Sequence, residues 1–340
     1  MYKKLFGLVI VAHIVVLAYF ILKSVDTGDD LDSLDDDLEL MPLQELPVVP
    51  LEEAQAAVSQ AKAKTNSSGK FTLDLEAATD YKLPGYVRSL GLKSGILVEV
   101  PSGKVYWKSK SDVPVAIASM TKMMTALVAF ETIEQRTDVT MDTVVPVTVA
   151  ASKIGGSQVW LDPRESFSLR ELMISIMVKS ANDSSYLVGE YLYNGNIHAF
   201  IARMNERATE LGMTNTKFLN SNGLPEGLYS NQASCEDLVY LAHELLKHPK
   251  AIEWSSIRQR TFRPNADTPT MMTNHNGLIG TVTGVDGLKT GYTKRAGFCI
   301  TATCERDGRR FIAVANGFPS SKERNAFVSD LLEWGYSLDR

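Results

Sequence analysis

Ser119-Met120-Thr121-Lys122, Ser180-Ala181-Asn182 and Lys289-Thr290-Gly291 follow one another along about 170 residues of the chain. Each motif alone is common by chance. Together they constrain the fold more than any other feature, because a weak serine nucleophile has use for all three only if they meet in one pocket. The chain must therefore bring a helix start, a helix end and a strand to a common point. The chemistry this order points to is acyl transfer through a serine ester.

On an α-helix, positions i and i+3 share a face, so Ser119 and Lys122 meet at the first turn. The run from Ser119 through Ile133 is rich in helix formers, with Met123, Met124, Leu127, Val128 and Phe130 available for burial. At the start of such a helix the local dipole favours a developing oxyanion. Lys122 serves as base only if its amine is partly neutral, which burial and a second cation both promote. Lys289 is the candidate for that cation. Read alone, Lys122 would be an ordinary exposed helical lysine.

Ser180-Ala181-Asn182 ends an apolar periodic run, Leu169 through Val178, that reads as a buried helix. Ser180 is placed to relay a proton between Lys122 and a leaving amine, and Asn182 to bond the lysine and a substrate amide. The plainer reading of this motif is a helix cap and turn. Val285 through Tyr292 reads as a strand entered by a tight turn. Gly291 lets a substrate approach the strand, Lys289 and Thr290 suit a carboxylate, and an extended peptide could lie alongside. The plainer reading is an edge strand guarded by a lysine.

The match extends to Ala118 through Thr125, Ser180 through Asp183, Leu211-Gly212-Met213-Thr214-Asn215-Thr216, Asn222-Gly223-Leu224 and Val285 through Tyr292. On these residues the chain, from about Leu83 to Tyr336, resembles the low-molecular-weight penicillin-binding proteins, the serine-type D-alanyl-D-alanine carboxypeptidases. The resemblance implies an α/β fold (an α+β sandwich) of the β-lactamase/transpeptidase type: an antiparallel sheet flanked by helices, with an all-helical subdomain. It implies Ser119 as acylated nucleophile, Lys122 as base, and Ser180 and Asn182 in proton transfer and substrate contact. Lys289 and Thr290 would hold the terminal carboxylate, Gly291 and Tyr292 would complete the substrate-binding strand, and the backbone N–H groups of Ser119 and Tyr292 would form the oxyanion hole. Peptidoglycan stem peptides are the implied substrate, β-lactams the implied covalent inhibitors, and no cofactor or metal is implied. Position 181 is Ala where many relatives have Gly, and position 292 is Tyr where His is frequent. The chain ends at Arg340, so the C-terminal β-domain and amphipathic anchor of several members are not expected in it.

Leu5 to Leu22 is apolar apart from His13 and would span about 27 Å as a helix, enough for a bilayer core. Lys3 and Lys4 precede it and acidic residues follow, which orients the bulk of the chain outward. The expected organisation is a cytoplasmic tail at 1–4, a signal-anchor at 5–22, an acidic, Pro-containing linker at 23–80 and a catalytic domain at 81–340. That places the protein in a bacterial inner membrane with its catalytic domain on the outer side. A cleaved signal peptide is the rival, though no small-x-small site is evident near Ala18 to Ser24. Leu51 to Lys64 is Ala-rich and could form a short helix.

The formal charge of −5 owes most to the linker, and no basic patch with interleaved aromatics points to nucleic acid. Cys299 and Cys304 would lie about 16 Å apart on one extended strand, too far to bridge. With Cys235 they are expected as buried free thiols. His13, His198, His243, His248 and His275 show no metal-binding spacing.

Three functions compete with the carboxypeptidase. A class A β-lactamase needs an added carboxylate before a Leu-Asn pair, and Glu165, in Pro163-Arg164-Glu165-Ser166-Phe167, lacks that context. A D,D-endopeptidase cuts a bond of the same stereochemistry. A non-catalytic sensor of β-lactams or wall fragments would not need the complete set.

Overall fold

The computed structural model describes residues 71–338 apart from Pro101. The tail, the apolar run 5–22, the acid run and the candidate helix 51–64 lie outside the described residues. Among the described residues, no helix is long and apolar enough to cross a membrane.

The framework is a five-stranded antiparallel sheet of β1 (Ser94–Val100), β2 (Val105–Ser109), β3 (Val285–Thr293), β4 (Gly297–Arg306) and β5 (Arg309–Phe318). Its spatial order is β2-β1-β5-β4-β3, which leaves β3 on the edge. Strand periodicity sorts the side chains into two cores. Ile96, Val98, Ile312 and Val314 enter one, and Leu97, Phe311, Ala313 and Ala315 enter the other. The sheet is covered on both faces, so its central strands read as continuous apolar runs.

The first core joins the sheet to the helices α1 (Lys122–Gln135), α2 (Leu169–Val178), α3 (Asn182–Leu192), α4 (Ile197–Leu211), α5 (Cys235–Leu245) and α6 (Pro249–Ser255). Residues 122–130 of α1 are buried without interruption, so this helix is enclosed all round by its neighbours. α2 starts with a capping box, Ser168 and Glu171 each satisfying the other's backbone. The second core is closed by α7 (Ser321–Ser337), through Phe327, Val328, Leu331 and Leu332. The expected architecture of a sheet between helices, with a helical subdomain, is the one observed.

Two expectations change. Residues 71–80, assigned to the linker, belong to the folded unit: Phe71, Leu73, Leu75 and Ala78 pack on the first core, and Phe71 stacks on His243 at 3.9 Å. Their short apolar alternation was masked by the acidic composition preceding it. The helix expected from Ser119 begins as a 3-10 turn, Ala118–Thr121, before α1 proper.

The cysteines are free and buried. Cys299 and Cys304 sit in β4 and face opposite cores, as five positions along a strand require. Burial pushes the Cys299 thiol up to about 11 and the Cys235 thiol to about 12, so neither is a nucleophile at neutral pH.

Candidate active site

The three motifs meet where the helical part abuts edge strand β3, around a cleft of about 420 Å³. Ser119 stands in the 3-10 turn, and its Oγ is 3.1 Å from Lys122 Nζ. The same nitrogen lies 2.6 Å from Asn182 Oδ1 and 2.6 Å from the carbonyl oxygen of Asn222. Lys122 is completely buried. Loss of hydration, then the nearby Lys289 cation, hold its pKa well below the usual lysine range, partly opposed by the buried Asp183. A lysine in that state can accept the Ser119 proton.

Ser180-Ala181-Asn182 forms the junction between α2 and α3, with Asn182 opening α3. The helix end expected there is therefore also a helix start. Asn182 Nδ2 donates to Gly155 O at 2.7 Å, which fixes its amide so that Oδ1 faces Lys122. Ser180 is buried at positive φ (60°), and its Oγ has no hydrogen-bond partner among the described residues. Such a conformation costs about 1–3 kcal/mol and persists where the surroundings impose it. An unpartnered hydroxyl lining the cleft is available to a substrate. Ala118, next to the nucleophile, is also at positive φ (47°).

Lys289, Thr290, Gly291 and Tyr292 lie on β3. A Cβ on Gly291 would stand 2.7 Å from Ile117 O and 3.0 Å from Ser119 N. The glycine thus lets the strand approach the nucleophile's own backbone, a constraint the sequence reading had assigned to the substrate. Lys289 is 3% exposed, and burial, then the Arg324 cation, lower its pKa to about 7. Thr290 and Tyr292 line the cleft, and the Tyr292 ring stacks on Phe298 at 4.2 Å.

Several contributors were not legible as motifs. Arg324, in α7 and nearly fully buried, lines the cleft and adds a second fixed cation beside Lys289. Nothing in Ser321-Lys322-Glu323-Arg324 marks it. His275, read only for metal spacing, stands at the cleft wall. The Asn222 carbonyl contributes through the backbone, which no residue type discloses. It is placed by asparagines: Asn220 Oδ1 accepts from Gly223 N at 2.7 Å, and buried Asn231 bonds Leu219 N at 2.7 Å and Thr121 Oγ1 at 2.9 Å. Gly223 is required because a Cβ would meet Ala118 O at 2.1 Å. Asp183 accepts from Val159 N and Leu161 N (3.1 and 3.2 Å) and so holds the loop that carries Gly156 and Ser157. Glu165 is not among the residues lining the cleft. It pairs with Arg263 at 3.1 Å and accepts from Asp162 N.

The family profile described as D-alanyl-D-alanine carboxypeptidase (peptidase S11) matches residues 85–319. The chain belongs to the peptidase S11 family. Among curated S11 relatives it is 38% identical over 246 residues to D-alanyl-D-alanine carboxypeptidase DacF of Bacillus subtilis, covering 72% of this chain and 62% of that protein. It is 31% identical over 261 residues to DacA of Escherichia coli K12, covering 75% of this chain and 62% of that one. The chain therefore spans somewhat under two thirds of the length of these relatives. In three dimensions this S11 chain resembles penicillin-binding protein D2 of Listeria monocytogenes in its ampicillin-bound form. The TM-score is 0.65 at 27% identity, over 72% of this chain and 98% of that one. Penicillin-binding protein 6B of E. coli gives a TM-score of 0.67 at 27% identity, over 78% and 81%.

Proposed function

We propose that this S11 protein is a serine D,D-carboxypeptidase that removes the terminal D-Ala from peptidoglycan stem peptides through an acyl-enzyme. The observation that carries this reading is the fully buried Lys122 amine 3.1 Å from Ser119 Oγ, beside a cleft lined by Thr290 and Arg324 with the buried Lys289 next to Thr290 on β3. Ser119 Oγ attacks the penultimate D-Ala carbonyl as neutral Lys122 takes its proton. The tetrahedral oxyanion is met by the backbone N–H groups of Ser119 and Tyr292. Ser180 passes a proton to the departing D-Ala nitrogen, and Asn182 orients Lys122 and a substrate amide. Lys289, Thr290 and Arg324 receive the terminal carboxylate, where charge-assisted bonds are strongest. Water then hydrolyses the ester and regenerates Ser119.

The same pocket supports covalent labelling by β-lactams, whose carboxylate and strained amide mimic the D-Ala-D-Ala end. A β-lactamase of class A type is disfavoured because Glu165, the residue that could activate the deacylating water, is paired with Arg263 away from the cleft. Activity on cross-links is the second reading, supported by a 29% identity to a D-alanyl-D-alanine endopeptidase of Pseudomonas aeruginosa. The apolar run 5–22 supports an inner-membrane anchor that leaves the catalytic domain outside. Extraction of the full chain from membranes by detergent but not by carbonate is the outcome expected of that anchor.

The deciding experiment is mass spectrometry of purified sacculi after digestion. Loss of one alanine from pentapeptide stems supports the carboxypeptidase. Severed cross-links without that loss support the endopeptidase. Rapid nitrocefin turnover with neither D-Ala release nor severed cross-links would overturn both.

A further inference from the structure

Beside the cleft the chain builds an apolar tip that none of the catalytic groups uses. Residues 226–229 fold back as a tight turn, Glu226 N donating to Tyr229 O at 2.9 Å and Tyr229 N to Glu226 O at 3.0 Å. Gly227, at φ 58°, supplies the left-handed backbone such a turn needs. The turn is fastened on both sides. Asn220 Nδ2 donates to Leu224 O (2.9 Å) and Glu226 Oε1 (3.0 Å), and Arg295 Nη1 donates to Leu228 O at 2.6 Å. Yet its apolar side chains stand in solvent, Leu228 83% and Tyr229 73% exposed. Firm backbone and exposed apolar side chains together describe a surface prepared for contact.

The cleft fixes which part of a substrate reaches that surface. An extended peptide along β3 has its carboxylate at Lys289 and Thr290 and its scissile carbonyl at Ser119 and Tyr292. The residues preceding the scissile bond then continue past Tyr292 toward the β3–β4 turn. Arg295 belongs to that turn, three residues beyond Tyr292, and it is the residue that clasps Leu228. On the other side the tip continues from Leu224, a residue of the cleft wall.

We propose that Leu228 and Tyr229, with the half-exposed Tyr292, form an apolar subsite for the acyl-donor side of the substrate. Its occupant is the hydrocarbon stem of a long side chain on the residue preceding the D-alanyl pair. This rests on the carboxypeptidase reading for the direction of the peptide. The side chains of these residues set specificity and do not touch the reacting atoms; Tyr292 meets the oxyanion through its backbone N–H alone.

The test uses the purified full chain and the double variant Leu228→Ser/Tyr229→Ser, whose exposed positions leave the fold intact. Two peptides are compared, diacetyl-L-lysyl-D-Ala-D-Ala and N-acetyl-L-alanyl-D-Ala-D-Ala. The variant is expected to lose roughly tenfold in kcat/KM on the lysyl peptide, mainly through KM, and less than about twofold on the alanyl peptide. An equal loss on both peptides, or none on either, overturns the subsite. In parallel, acylation of Ser119 is timed with two penicillins, one carrying a long apolar side chain and one a methyl group. The variant should slow only the first, again by roughly tenfold. If that selectivity appears while the wild type cleaves neither peptide, the subsite stands and the carboxypeptidase reading falls. If the substitutions instead weaken binding to anionic lipid vesicles and leave both selectivities unchanged, the tip is a membrane contact and the proposal is wrong.

Discussion

At the scale of single residues, charge placement dominates. Ser119→Ala should abolish both D-Ala release and covalent labelling by penicillin while leaving the thermal transition in place. Retained peptide cleavage would remove Ser119 from the mechanism. Besides the substrate role proposed for it, Lys289 acts on Lys122, because its cation adds to burial in lowering the Lys122 pKa. Lys289→Met should therefore raise the Lys122 pKa and move the acidic limb of the acylation rate profile to higher pH. The same residue opposes folding. Its pKa is about 7 in the folded state and about 10.4 unfolded, so between those values the unfolded chain binds a proton the folded one does not. This penalty is full below pH 7 and fades as pH rises toward 10.4. Lys289→Met should accordingly raise Tm at pH 7 and abolish turnover, measured by calorimetry beside an assay. Stability given up for a poised site is a common exchange.

At the scale of elements, the site depends on how closely β3 and the 219–224 loop approach the nucleophile's turn. Gly291→Ala places a methyl against Ile117 O and Ser119 N. A displacement of about 1 Å is enough for roughly a 100-fold loss of acylation, expected with an unchanged circular dichroism spectrum. Asn231→Ala removes the acceptor for Leu219 N and the donor to Thr121. Leaving such groups buried and unpaired costs about 2–3 kcal/mol, or roughly 5–10 °C in Tm, read by thermal unfolding. The helix pattern from Ser119 to Ile133 and the strand from Val285 were legible because burial leaves periodic apolar residues. The 3-10 start of the first helix and the α2–α3 junction were not, since backbone angles at Ala118 and Ser180 are imposed by contacts far along the chain.

At the scale of the molecule, the folded unit extends further toward the N-terminus than composition suggested. Phe71→Ala removes a ring that stacks on His243 and packs on the first core. A loss of about 1–2 kcal/mol, a few degrees in Tm, is expected in the full chain, and an unchanged Tm would return residues 71–80 to the linker. The sequence by itself determined the candidate chemistry: the proposed nucleophile, base, relay and carboxylate cation are residue types in three ordered motifs. Only the tertiary structure decided what makes that chemistry work. Burial that lowers the Lys122 pKa, the Arg324 cation beside Lys289, the Asn222 carbonyl and the pairing of Glu165 with Arg263 away from the cleft all arise between segments remote in sequence. Desolvation and Coulomb interaction depend on distance through space, and no local pattern encodes it.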